Sequence, residues 1–128
     1  MSIQNLNQKD KLFYKGIECF NKQNFYDAHE YWEDLWSDYR LKDAKLIQAL
    51  IQLSVGYFHI TNNNIKGANG LFNKSLPKFE MYFQNSRGLD VKYIILSINK
   101  TIKCMNSVDD LSQFDWTLVP KIKVTNGR

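Results

Sequence analysis

From Leu12 to Met105 the apolar residues return every three or four positions, in five successive runs broken by short polar turns. That spacing is the period of one face of an α-helix, and no useful length of strand-like alternation occurs before the last part of the chain. The first run, about Lys9–Lys22, carries Leu12, Phe13, Ile17 and Phe20 as its stripe. Gly16 sits inside it, where a glycine costs ~1 kcal/mol against alanine, so it marks a close approach by another helix. The second run, about Tyr26–Tyr39, places Ala28, Trp32, Leu35, Trp36 and Tyr39 on one face, which turns both tryptophans inward. The third, about Lys42–Thr61, is apolar nearly all round and reads as the central helix.

The fourth run extends from about Ile65 to Gln84. Gly67 and Gly70, one turn apart, suggest a second close helix approach, and Pro77 is expected to kink or split the helix because it removes a hydrogen bond and clashes with the preceding turn. After a loop over Asn85–Leu89, Asp90 caps a fifth helix, Val91–Met105, with Ile94, Ile95, Ile98, Ile102 and Met105 inward. From 106 to 128 the chain reads as an irregular tail whose Phe114, Trp116, Leu118, Val119, Ile122 and Val124 pack back on the helices, with Thr125–Arg128 frayed. The expected fold is therefore all-α: a single-domain bundle of about five helices over 1–128, with a core at 12–76, a covering helix at 90–105 and a tail at 106–128.

The segment Asn24-Phe25-x-x-Ala28 recurs as Asn64-Ile65-x-x-Ala68, forty residues on. Each copy follows a helix and a polar turn and opens the next helix. The first four helices therefore pair as two antiparallel hairpins, repeat-like, although two copies fall short of the roughly three that a solenoid needs.

Composition excludes several classes. With 128 residues, 44% hydrophobic and 14% aromatic, the chain is no disordered segment. Seventeen basic and 13 acidic residues leave a net charge of +4, spread rather than gathered in a stripe, so no nucleic-acid partner is expected. Between Gln23 and Tyr39 the charge is purely acidic: Asp27, Glu30, Glu33, Asp34 and Asp38. Cys19 and Cys104 stand alone and read as free thiols in a reducing compartment. Neither a secretory signal nor a bilayer-spanning run is legible, so a soluble intracellular protein is expected, with no membrane partner. Fourteen of the 17 basic residues are lysine, and asparagine and isoleucine are abundant. That bias fits AT-rich coding, as in a plastid stroma or the cytoplasm of an AT-rich organism.

The segment that invites chemistry is Ala28-His29-Glu30-Tyr31-Trp32-Glu33-Asp34-Leu35-Trp36. On a helix His29, Glu33 and Trp36 share a face, and Glu30 is offset toward solvent. On the third helix Gln48, Gln52 and His59 also share a face. If the two helices are antiparallel neighbours, His29, Glu30, Glu33, Gln52 and His59 form a candidate polar cluster flanked by Trp32 and Trp36. The first reading is a buried, hydrogen-bonded cluster in a binding or structural module. The alternative is a metal-dependent or acid–base enzyme, hydrolase-like, using His29, Glu33 and His59 with a divalent metal or with Glu33 acting on His29. The spacing matches neither the Glu-x-x-His of di-iron bundles nor the His-Glu-x-x-His zinc motif, so no cofactor is assigned. A protein partner or a second copy of the chain is the partner class left open.

The stretch Phe20-Asn21-x-x-Asn24-Phe25-Tyr26-x-Ala28-His29-Glu30-x-Trp32-Glu33-x-x-Trp36, followed by Ala49-Leu50-Ile51-Gln52-Leu53, His59 and Gly67-Ala68-x-x-Leu71, resembles a small helical family, domain of unknown function 309. The resemblance spans about Leu12–Leu76. It implies an all-helical fold with a central polar cluster and no particular activity. Its shared polar positions fall on His29, Glu30, Glu33, Gln52 and His59. At Gln48-Ala49 the chain departs from the glycine that the family pattern often carries, and past Met81 it has no clear counterpart.

Overall fold

In the computed structural model, which describes residues 6–84 and 86–125, five α-helices follow one another: α1 (Gln8–Asn21), α2 (Phe25–Asp38), α3 (Ala44–Thr61), α4 (Ile65–Glu80) and α5 (Val91–Met105). Consecutive helices from α1 to α5 pack on each other, so α1–α2 and α3–α4 are the two hairpins, with α3 against both α2 and α4. Tyr26 at the start of α2 meets Phe58 near the end of α3, ring centroids 5.5 Å apart, which fixes the pair as antiparallel. The fold is all-α, as its periodicity requires.

The two hairpin turns are copies of each other at the forty-residue offset. In the first, Gln23 takes a left-handed conformation (φ 63°), and the N–H groups of Gln23 and Asn24 donate to the carbonyls of Phe20 and Cys19, both at 2.8 Å. In the second, Asn63 is left-handed (φ 56°), and Asn63 and Asn64 donate to Ile60 at 3.0 Å and His59 at 2.9 Å. One left-handed residue after the last turn lets the chain reverse while the orphaned carbonyls are satisfied. The copies diverge at the next cap: the Asn64 side chain accepts from the Gly67 N–H, whereas Asn24 makes no side-chain cap bond.

The offset extends into the core. Gly16 receives the Trp32 indole, and Gly56 receives the Phe72 ring. The expectation for Gly16 therefore holds, and the second close approach lies at Gly56 rather than at Gly67 and Gly70. Gly70 has open space around it, and Gly67 meets only the side chains of Asn64 and His59. Trp32 is sealed, and its Nε1 donates to the Phe13 carbonyl at 3.1 Å. Tyr57 lies at the centre, touching Phe20, Phe25 and Phe72. Its hydroxyl and that of Thr101 on α5 are 2.8 Å apart.

Two expectations are corrected by the backbone. Helix α4 runs through Pro77 without splitting and stops at Glu80 rather than near Gln84. The proline falls in the last turn, where only one helical bond is lost before the helix ends anyway. Helix α3 begins at Ala44, two residues later than Lys42. Helix α5 matches its expected span, and the Asp90 side chain accepts from the Tyr93 N–H at 3.1 Å.

A short 3-10 turn, Ser86–Gly88, carries two left-handed residues, Arg87 (φ 57°) and Gly88 (φ 73°). It swings the Arg87 guanidinium onto both oxygens of Asp43, the single ion pair among the described residues, and over the Phe13 ring at 4.8 Å. The tail forms two further 3-10 turns, Leu111–Gln113 and Trp116–Leu118, and lies back on the bundle as expected. Phe114, Val119 and Ile122 are buried, and Trp116 stacks on Phe25 with centroids 6.1 Å apart. Of the segment expected to fray, residues 126–128 lie outside the described residues, as does Asn85 in the loop before α5. No helix of the described residues is long and apolar enough to cross a membrane.

Candidate functional site

Helices α2 and α3 do lie side by side, but the polar residues expected between them are half-exposed rather than gathered in a buried cluster. His29, Glu33, Gln52 and His59 are each half-buried, and Glu30 is exposed. Among the described residues no hydrogen bond or ion pair joins any of the five to another. The reason is helical geometry. The buried row of α2 is Ala28, Trp32 and Leu35, and His29, Glu33 and Trp36 each stand one position past it, at the rim.

Each histidine is held locally instead. His29 Nδ1 is 3.0 Å from the Tyr26 carbonyl, one turn back on its own helix. A carbonyl only accepts, so Nδ1 carries the proton. His59 Nδ1 faces the Asn64 Nδ2 at 3.3 Å. The orientation of that amide is fixed because Asn64 Oδ1 accepts from the Gly67 N–H at 2.9 Å. Asn64 therefore donates, and a neutral His59 keeps its proton on Nε2. The two imidazoles are in opposite tautomers, each assigned by its partner.

Among the described residues no ion pair joins Glu33 to His29. Among the described residues no group of three or more His, Cys, Asp or Glu side chains is gathered to hold a metal ion, and His29, Glu33 and His59 do not make one. Glu30 turns to another face, where it lines an open cleft with Asp27, Tyr31 and Asp34. The acidic segment is thus solvated, with Lys15 reaching over the Tyr31 ring at 5.7 Å.

The flanking tryptophans part company. Trp32 is core, but Trp36, expected inward, is 39% exposed. Four residues beyond Trp32, it has advanced ~40° around the helix and left the buried row. Tyr26 on the same side is 51% exposed and packs on His29 and Phe58. One polar atom is out of balance: Gln52 Oε1 is shut off from solvent and meets no donor.

Sequence reasoning passed over two polar features. The Tyr57–Thr101 pair joins α3 to α5 across 44 residues of chain, and both side chains are buried. Burial pushes the Tyr57 phenol well above the usual tyrosine range, against the smaller lowering effect of its bond to Thr101. Asn21, at the end of α1, holds the backbone of Ile122 through two hydrogen bonds. Both contacts are long-range, and no local pattern announces them. The two cysteines are free. Burial, then the Asp27 and Glu18 carboxylates, raise the Cys19 thiol above its ordinary value.

Residues 13–71 match the family model described as domain of unknown function (DUF309). The match runs from α1 into the second turn of α4 and so takes in both hairpin turns and all of α2 and α3. No curated protein matches the chain.

Proposed function

We propose that this protein is a binding module: two stacked helical hairpins that present a polar and aromatic strip, His29, Glu33, Trp36, Gln52 and His59, to a ligand or a protein partner. The observation that carries the reading is Gln52. A buried acceptor without a donor costs ~1–3 kcal/mol, and an occupant that draws the Gln52 side chain outward and supplies an N–H or O–H removes that cost. Exposed Trp36 and Tyr26 on α2 offer apolar surface of the kind enriched at recognition sites. The occupant that fits is a small molecule or protein segment with a hydrogen-bond donor next to an aromatic or aliphatic group. The same surface on a second copy of the chain is one such partner. The lysine- and asparagine-rich composition supports a place in a plastid stroma or in the cytoplasm of an AT-rich organism.

The test is a nuclear magnetic resonance titration of isotope-labelled protein with a panel of small amides bearing aromatic groups. Binding shifts the Gln52 side-chain amide and the Trp36 indole together, and Gln52→Leu and Trp36→Ala each weaken it. Shifts confined to other surfaces overturn the reading. Metal-stimulated turnover of ester or phosphoester substrates that is lost in His29→Ala and His59→Ala supports the hydrolase alternative instead.

A further inference from the structure

The last described stretch of chain, Val119–Thr125, is extended and lies on the helices the way a bound peptide does. Val119, Pro120 and Ile122 are buried, Val124 is half-buried, and Lys121, Lys123 and Thr125 face solvent. Alternation of this kind belongs to an extended segment resting on a surface.

The contacts that hold it are mostly main-chain contacts. Asn21 Nδ2 donates to the Ile122 carbonyl and Asn21 Oδ1 accepts the Ile122 N–H, both at 2.8 Å. A side-chain amide that engages both backbone groups of one residue reads an extended chain, whatever side chain it carries. On either side of Ile122 the segment is pinned differently. Lys121 Nζ donates to the carbonyl of Asn21, the last residue of α1, where the helix dipole is negative. The Thr125 N–H donates to the Gly88 carbonyl at 3.0 Å, and Val124 bridges Leu89 as an antiparallel pair. Gly88 is shaped for this approach: its φ is +73°, and a Cβ there would collide with the Thr125 carbonyl. The groove is not filled. A cleft of about 390 Å³ stays open along the segment, lined by Asp90, Tyr93 and Ile94 on one side and Lys121, Ile122 and Lys123 on the other.

We propose that the groove between the end of α1 and the start of α5 is a peptide-docking site, occupied here by the chain's own segment 119–125. Its partner in trans is an extended peptide of the same chemistry, apolar residues alternating with lysines. The site lies on a surface separate from the α2–α3 strip and does not depend on that strip binding anything. The cis segment competes at the ~mM effective concentration of a short tether, so it sets the affinity a partner must exceed. Strand-like addition of this type draws affinity from backbone bonds and specificity from alternate side chains.

The experiment uses the full-length chain carrying Ile122→Asp, which expels the tail, and a fluorescent peptide of residues 117–125. Anisotropy is expected to show saturable binding to I122D and at least ten-fold weaker binding to the wild-type chain. Adding Asn21→Ala to I122D is expected to abolish it. No binding to folded I122D, equal binding to wild type, or indifference to Asn21 each overturn the proposal. Amide hydrogen exchange on the wild-type chain decides the matter if I122D does not fold. The Ile122 and Thr125 amides are expected to exchange at least ten-fold faster than those of Ile47 and Leu50. Protection equal to that of α3 makes the segment part of the core and ends the proposal.

Discussion

Gly16 lies against the Trp32 indole so closely that a Cβ on it would overlap the ring. The ring has little freedom to retreat, because its Nε1 is bonded to the Phe13 carbonyl. Gly16→Ala should therefore destabilise the fold. Overpacking costs ~1–3 kcal/mol, and the gain in helix propensity returns ~1 kcal/mol. Gly70→Ala provides the contrast, since no atom lies within 4 Å of its added Cβ. There only the propensity gain applies, and stability should rise by ~0.5–1 kcal/mol. Urea unfolding of the two variants checks the pair, and shifts of the same sign would refute the packing account.

The hairpin turns make a second contrast. Gln23 and Asn63 occupy the same left-handed position forty residues apart. A β-carbon there costs roughly 1–2 kcal/mol, and asparagine bears it better than glutamine because its short side chain bonds locally. Gln23→Gly should stabilise the protein by ~0.5–1 kcal/mol after the entropy of the added glycine is subtracted. Asn63→Gly should change it by less than half as much. Thermal melts of the two single variants measure this, and a larger gain at Asn63 would contradict it.

The helices and the repeat are legible in the sequence because they rest on local pattern. Apolar spacing sets five helices, and Asn24 and Asn64 mark equivalent turns. The stripe fails at its edges: Trp36 fits the spacing, yet 40° of drift carries it into solvent. The polar cluster fails for a related reason. His29, Glu33, Gln52 and His59 lie on rims that face outward, and each histidine finds a nearer partner in Tyr26 or Asn64. Asn21 with Ile122 and Tyr57 with Thr101 are set by how the tail and α5 dock, and nothing in the residues around them signals a partner so distant.

The two tryptophans of α2 should answer mutation differently. Trp32 is sealed in the core, and Trp32→Ala should cost ~3–5 kcal/mol. Trp36 is 39% exposed, and Trp36→Ala should stay within ~1 kcal/mol of wild type. Acrylamide quenching of single-tryptophan variants gives an independent reading, with Trp36 quenched readily and Trp32 protected. Comparable stability losses at both positions would place Trp36 in the core after all.

Tyr57 sets how stability varies in alkaline solution. Burial holds its phenol neutral in the folded state, with a pKa raised from the ordinary value of 10.0. Its stabilising effect is thus fully present below pH ~10 and declines above it, where the unfolded phenol loses its proton first. The slope from this one group is at most about 1.4 kcal/mol per pH unit. At pH 7 Tyr57→Phe should be less stable by ~1 kcal/mol, the worth of the lost bond to Thr101. Between pH 10 and 11 the phenylalanine variant carries no such titration, so the gap should close and then reverse. Urea unfolding of both proteins at pH 7, 9, 10.5 and 11 follows the difference directly. A gap that stays constant through pH 11 would mean that Tyr57 ionises as readily in the folded protein as in the unfolded chain.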